Sequence, residues 1–296
     1  MIFDTLPQPS GSFRWVQVDA GVALVCTPLE PFANHLFTTR AWPLGATPPF
    51  QPQSPQAREV SSAVTDGWDD VADAMGVAPH DLVRVHQVHG RAAFLHRKGD
   101  RAPVAAPDAD IIITDDSAVA LAVQTADCVA LLIADPRTGA VAAVHAGWRG
   151  LAAGVPIAAV ESLAREFGSR PSDLIAAAGP AIGACCYEVG ADVQERFGAA
   201  GFPQALIDRW FRPQPGATPH NPPMEELRRA PRAGHWFFDG WRATIDELET
   251  AGVPPERVHL AELCTSSHFD AFCSYRRDGK RAGRIAAAIR CLPPRP

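Results

Sequence analysis

The chain has 296 residues, 47% of them hydrophobic and 20% charged, which supplies a sizeable core and rules out a disordered polyelectrolyte. Its formal net charge of -6 excludes a general attraction to nucleic acid or anionic membranes. The longest apolar runs, such as Val129–Ala134 and Ala140–Val144, are far too short to cross a bilayer. The opening segment MIFDTLPQPSGSF lacks a basic region followed by an apolar stretch, and the seven cysteines are an odd number for a paired set. Reduced thiols and a cytoplasmic location are therefore expected.

In chain order, Val22–Cys26 reads as a strand, and a Pro-rich stretch from Trp42 to Gln56 excludes regular structure. Glu59 to Met75 has helical spacing and stops before Gly76; a strand follows at Leu82–His86. Ile111–Thr114, Ala118–Val123, Cys128–Ala134 and Ala140–Val144 are short apolar runs separated by turn residues. They read as strands spaced for antiparallel pairing. A helix is predicted over Leu151–Phe167, ended by Gly168, and a strand over Leu174–Ala178. Residues 211–235, rich in Pro and Arg, read as an exposed excursion. A helix from Trp241 to Thr250, a strand at Val258–Leu260 and a hairpin around Asp278-Gly279 close the chain. The expected architecture is one mixed α/β domain over residues 1–296, with a largely antiparallel central sheet flanked by helices.

The segment Asp135-Pro136-Arg137-Thr138-Gly139 is a strong turn signal, because Asp and Pro open it and Gly accepts a positive φ. If the flanking strands pair across it, the centre falls between Pro136 and Arg137 or about one residue later. Cys128 then lies opposite His145 or opposite Gly147, and in either register the thiol and the imidazole share one face. Cysteine is often buried as packing, so the surroundings matter. Asp127 precedes the thiol, and Ala146-Gly147-Trp148-Arg149-Gly150 follows the imidazole, with small residues that let a backbone approach a ligand. Val85-His86-Gln87-Val88-His89-Gly90 supplies two more imidazoles; strand alternation points His86 and His89 oppositely and leaves open which one joins the pair. Two imidazoles and a thiolate suit Zn²⁺ or copper, with a fourth position free for water or substrate. Ser274-Tyr275-Arg276-Arg277-Asp278-Gly279, with Arg284 across the turn, supplies arginines of the kind that bind phosphate or carboxylate bidentately. Cys185 and Cys186 are adjacent, cannot readily bridge each other, and read as packing.

These motifs resemble the YfiH-type family, also called the multicopper polyphenol oxidase or laccase-domain family. Its members are described as purine nucleoside phosphorylases and, in bacteria, as peptidoglycan editing factors. The resemblance is carried by Gln87-Val88-His89-Gly90, Ala109-Asp110, Thr125-Ala126-Asp127-Cys128 and Ala143-Val144-His145-Ala146-Gly147-Trp148-Arg149-Gly150. It continues through Gly179-Pro180-Ala181-Ile182-Gly183, Tyr187-Glu188-Val189-Gly190, Cys264-Thr265 and Ser274-Tyr275-Arg276-Arg277-Asp278. It implies a fold related to toxin deamidases with Cys–His sites, and a metal, usually zinc, held by His89, Cys128 and His145. It also implies phosphorolysis of adenosine, inosine and methylthioadenosine, with some adenosine deamination. One departure stands after Thr39-Arg40: the family's Gly-Gly turn and Asn-Leu-Gly segment are replaced by Ala41-Trp42-Pro43-Leu44-Gly45 and the Pro-rich run.

On this reading the partners are small molecules, a purine nucleoside and phosphate. Deamination needs an activated water, which Zn²⁺ supplies by lowering its pKa, and Asp127 or His86 is the candidate proton carrier. Phosphorolysis needs a clamped phosphate, for which Arg40, Arg149 and Arg276 are candidates. Two alternatives accompany it. One is a metal-free Cys–His hydrolase or amidase acting on a peptidoglycan precursor, with Cys128 as nucleophile and His145 as base. The other is a copper-dependent phenol oxidase.

Overall fold

The computed structural model describes residues 5–45, 67–101, 106–228 and 232–292. The strands are β1 (Phe13–Val18), β2 (Gly21–Cys26), β3 (Ala33–Thr38), β4 (Leu82–Val83), β5 (Ala93–Leu95), β6 (Ile111–Thr114), β7 (Ala120–Thr125) and β8 (Val129–Ala134). They continue as β9 (Val141–Ala146), β10 (Ile175–Ala178), β11 (Glu188–Gly190), β12 (Phe211–Arg212), β13 (His235–Phe238), β14 (Val258–Leu260) and β15 (Ile285–Cys291). The helices are α1 (Gly67–Met75), α2 (Trp148–Ala152), α3 (Val155–Phe167), α4 (Ala191–Ala199), α5 (Gln204–Trp210), α6 (Gly240–Thr250) and α7 (Tyr275–Asp278).

The expected antiparallel centre is present, but as two stacked sheets rather than one. The first has the order β1-β2-β3-β15-β7-β4 and the second β14-β10-β8-β9-β6-β5; β11-β13-β12 form a small third sheet. Pairing in the two large sheets is antiparallel except at β4–β7, β14–β10 and β5–β6. The reason lies in β8 and β9, every residue of which is buried. Val129, Leu131 and Ile133 of β8 pack with Val155, Ala159 and Leu163 of α3 and Leu248 of α6. The alternate residues Ala130, Leu132 and Ala134 face Leu121 and Val123 of β7 and Ala287 and Ile289 of β15. A strand covered on both faces reads as a continuous apolar run, not as an alternation. Each fully buried Leu or Ile here contributes roughly 1.5–3 kcal/mol. On the far side of the first sheet, Ala120, Ala122, Ala286 and Ala288 carry Val71 and Met75 of α1. The layers thus run helix, sheet, sheet, helix.

Three further expectations change. The helix read over Leu151–Phe167 is two helices, α2 and α3, separated at Gly154, which takes φ 76°. A left-handed glycine followed by Pro156 in the next first turn breaks one helix and starts another. The closing hairpin is instead a single helical turn, α7, started by Ser274, whose Oγ accepts from the Arg277 N–H at 3.3 Å. The supposed excursion after residue 211 is pinned at both ends of its first half. Phe211 is buried against Phe197 and Phe238, and Asn221 is buried with its side chain donating to the Glu262 carbonyl. Of the Pro-rich stretch, residues 46–56 lie outside the described residues, as does the 59–66 portion of the predicted first helix.

Candidate active site

The β8–β9 hairpin fixes the first two groups. Asp135 closes the turn as expected: its carboxylate accepts from the Arg137 N–H at 2.8 Å and the Thr138 hydroxyl at 2.8 Å, while Gly139 takes φ 78°. Val129 pairs with Ala146 and Ala130 with His145, so the turn is centred between Arg137 and Thr138, the later of the two registers. Continued by one residue, this register sets Gly147 opposite Cys128 and makes Cys128 and His145 a diagonal pair on the face between the two sheets.

His89 reaches them from the loop after β4. Its Nε2 lies 4.0 Å from the Cys128 Sγ, and its ring meets that of His145 edge-on at 4.7 Å between centroids. The loop holds His89 at φ 60°, a conformation that a non-glycine residue adopts only when its surroundings enforce it. The enforcing group is Asp110, which is fully buried. Its carboxylate accepts from the N–H groups of Val88 at 3.3 Å, His89 at 2.9 Å and Gly90 at 2.6 Å. It also accepts from His145 Nδ1 at 2.8 Å. Because a carboxylate only accepts here, His145 carries a proton on Nδ1 and turns its Nε2 toward the thiol. One buried carboxylate thus orients two imidazoles, as the outer partners of metal-bound histidines do. Asp110 appeared in the sequence only as part of a motif. Nothing local to residue 110 announces its role, which depends on strand β6 running beside β9.

The donor atoms of His89, Cys128 and His145 all lie within 4.8 Å of one another, and the set of two imidazoles and a thiolate fits a metal ion. Gly147 keeps the space open: a Cβ there would stand 2.8 Å from His89 Cδ2 and 2.9 Å from Cys128 Sγ. Electrostatics favour the charged pair. Burial alone would raise the Cys128 thiol, but the charge on His145 and hydrogen bonds from His145 and His89 bring it down to about 6. Burial would lower His145, but the Cys128 charge and the Asp110 hydrogen bond lift it to about 9. Without metal, neutral pH therefore gives a thiolate beside an imidazolium. A metal needs neutral imidazole. Between pH 6 and pH 9, metal uptake is expected to release about one proton and to tighten about tenfold per pH unit, levelling off above pH 9. Calorimetry in buffers of different ionisation enthalpy checks this; uptake without proton release would refute it.

Cys128 and both imidazoles open into a cavity of about 600 Å³, also lined by Gln87, Asp127, Trp148, Arg149, Tyr187, Arg276 and Arg284. Asp127 takes φ 90°; its carboxylate accepts from the Thr265 hydroxyl at 2.6 Å and from the Arg276 N–H at 2.6 Å. Burial raises its pKa despite these bonds. The Arg149 guanidinium stacks on Trp148 at 4.3 Å and that of Arg276 on Tyr187 at 5.0 Å.

Two sequence candidates fall elsewhere. His86 Nδ1 pairs with Asp108 at 2.7 Å on the exposed surface, and the residue does not line the cavity. β4 ends at Val83, so the alternation that paired His86 and His89 as alternatives does not extend to them. Arg40 donates to the Phe269 carbonyl and is exposed outside the cavity. Arg284 lines the wall instead, its N–H bonded to the Leu44 carbonyl at 2.8 Å. The cavity thus borders the segment where this chain departs from the family pattern.

Residues 34–292 match the family model described as multi-copper polyphenol oxidoreductase laccase. A purine nucleoside phosphorylase of Deinococcus radiodurans is 34% identical over 86% of this chain and 88% of that protein. One of Bacteroides thetaiotaomicron is 32% identical over 73% of this chain and 76% of its own length. The crystal structure of the Bacillus licheniformis hypothetical protein YfiH superimposes with a TM-score of 0.76 at 28% identity, covering 95% of this chain and all of that one. YlmD from Geobacillus stearothermophilus gives a TM-score of 0.72 at 29% identity over 94% and 99%. A motif set spread along the chain, a family model spanning most of it and matching folds agree: the chain belongs to the multi-copper polyphenol oxidoreductase laccase family, of the YfiH type.

Proposed function

We propose that the chain is a purine nucleoside phosphorylase acting on adenosine, inosine and methylthioadenosine, with adenosine deamination as a side activity. The observation that carries this reading is one cavity holding both a metal-donor set and several arginines beside aromatic faces. Its volume lies within the roughly 300–1,000 Å³ usual for small-molecule sites. The names of the Deinococcus and Bacteroides relatives support it. In phosphorolysis a phosphate oxygen bonds to the ribose C1′, the C1′–N9 bond breaks, and the purine leaves with that electron pair and takes up a proton. Arg149, Arg276 and Arg284 line the cavity and would hold the phosphate, while Trp148 and Tyr187, which also line it, would stack on the base. Asp127 lines the cavity and would pass a proton to the departing purine. His89, Cys128 and His145 would hold Zn²⁺, which when bound supplies a Lewis acid and an activated water for the deamination.

Purified protein of known metal content is expected to release adenine or hypoxanthine, with the corresponding ribose or methylthioribose 1-phosphate, only when phosphate is supplied. Release independent of phosphate, or none from any of the three nucleosides, would remove the assignment. Arg149→Ala is expected to lower kcat/KM for phosphate by about 10–100-fold, since charge-assisted hydrogen bonds are worth about 1.5–3 kcal/mol. Steady-state kinetics with varied phosphate provides the check.

A second reading has an observation of its own. A thiolate at about 6 beside an imidazolium is also the pair used by Cys–His hydrolases and amidases, which would act here on a peptidoglycan precursor. Iodoacetamide separates the two. The phosphorylase reading expects Cys128 to be labelled only after chelation; rapid labelling of untreated protein favours the hydrolase. The phenol-oxidase alternative is separated by oxygen, since nucleoside turnover should continue without O₂.

A further inference from the structure

We propose that Cys185, Cys186 and Cys264 form a second metal site, separate from the cavity above, which takes a soft monovalent d¹⁰ cation of the Cu(I) type. Their three sulfurs lie within 4.8 Å of one another and all three residues are fully buried or nearly so. Three thiolates around one ion at about 2.3 Å sit about 4 Å apart. The cluster therefore closes on an ion by side-chain movements of less than about an ångström.

The backbone prepares this arrangement from two distant segments. Gly183 makes a tight turn, its carbonyl accepting from the N–H groups of Cys186 at 2.9 Å and Tyr187 at 3.0 Å. Cys264 runs in a parallel bridge beside Ala181, and its N–H donates to Asn221 Oδ1 at 2.8 Å. The Gly183 N–H donates to the Cys264 sulfur at 3.3 Å, a contact that favours sulfur with anionic character. Ser267 Oγ stands 3.5 Å from both other sulfurs while donating its own proton to the Pro222 carbonyl. The apolar side chains packed with the trio are Ile182, Tyr187, Met224 and Trp241, and the Cys186 sulfur also lies 3.7 Å from the Pro222 carbonyl. No imidazole or carboxylate belongs to the cluster among the described residues. Three sulfurs in an apolar pocket select a soft ion over the harder or imidazole-seeking metals. Cys185 also borders a second cavity of about 550 Å³, lined with Asn221, Asp239 and Trp241, which gives the ion a way in. An ion here ties together the two segments that supply Tyr187 and Thr265, the latter bonded to Asp127. It would thus brace the wall of the nucleoside cavity without entering it.

The test uses Cys128→Ala protein, reduced and handled without oxygen, so that the His89 and His145 cluster lacks its thiol. Titrated with Cu(I) against a chromophoric chelator, it is expected to take a single equivalent, with an X-ray absorption shell made of sulfur alone. Adding Cys264→Ser should weaken uptake by at least about a hundredfold, since even outer partners of metal ligands are worth 10–100-fold. Cys185→Ser should act in the same direction and serves if the Cys264 variant does not fold. No uptake, uptake unchanged in folded Cys185→Ser protein, or nitrogen in the shell would each overturn the site. Displacement of Cu(I) by equimolar Zn²⁺ would overturn the choice of ion. A disulfide within the trio in oxygen-free wild-type protein, detected as fewer than its seven thiols, would overturn the proposal as well. None of these readouts depends on nucleoside turnover.

Discussion

Asp110→Ala is expected to cost about 3–5 kcal/mol of folding stability, the usual loss when one partner of a buried charged pair is removed, and about 10–100-fold in metal affinity. The side chain is fully buried and accepts four hydrogen bonds, three from the Val88–Gly90 backbone and one from His145. Removing it orphans all four donors and frees His89 from the left-handed conformation those bonds enforce. Asp110→Asn separates orientation from bulk. It keeps the shape, but its NH₂ replaces one acceptor and, turned to His145, favours the tautomer with Nε2 protonated, which cannot ligate. Stability should then be partly recovered while metal affinity is not. Denaturant unfolding and a metal competition assay measure the two effects; parallel recovery of both would contradict the orienting role. The pH dependence has a definite sign. Burial opposes the charge on Asp110, but the hydrogen bonds from His145 and the backbone outweigh it, and its pKa lies below the ordinary 3.8. The stabilisation is therefore complete above pH 3.8 and is lost as the pH falls through the lower folded value. Wild type and Asp110→Asn should converge in strong acid.

Gly147→Ala is expected to remove most metal binding while leaving most of the fold. Its backbone, φ -74° and ψ 167°, suits any residue, so the penalty is steric alone. The new methyl would stand under 3 Å from both His89 and Cys128. Both neighbours would have to move, and both are donors. Overpacking of this kind costs about 1–3 kcal/mol, and displaced ligands should weaken metal binding by about a hundredfold or more, beyond the loss of an outer partner. Metal content after dialysis, together with circular dichroism, reads both. A variant that retained its metal would show that the three donors do not act together.

How much of this was legible in the chain depends on the range of the interaction. The 135–139 turn is readable because Asp135, Pro136 and Gly139 act locally, and by itself it sets Cys128 and His145 on a common face. Two registers were open, with Cys128 opposite His145 or opposite Gly147; both keep the same residues on each face, and the pairing of Val129 with Ala146 is the second of them. His86 and His89 could not be told apart by periodicity, since beyond β4 only His86 keeps an isolated bridge, to Asp108, and Asp110, twenty-one residues after His89, sets the loop. The family motif named His89 without supplying that reason. Arg40 and Arg284 exchanged places for the same kind of cause, as the first is occupied by the Phe269 carbonyl across the fold. Cys185 and Cys186 looked like packing because their third partner, Cys264, is remote in sequence.

Composition, apolar runs and turn chemistry by themselves determined the mixed α/β class, the strands of the centre, the Cys128–His145 pair and, through its motifs, the family. These properties rest on neighbours within a few residues, where propensity and turn geometry act. Only the tertiary structure decided that there are two stacked sheets, that Asp110 orients both imidazoles, which arginines wall the cavity, and that three thiols meet beside it. Those features depend on burial and on contacts between remote segments, whose energies no local pattern of residues encodes.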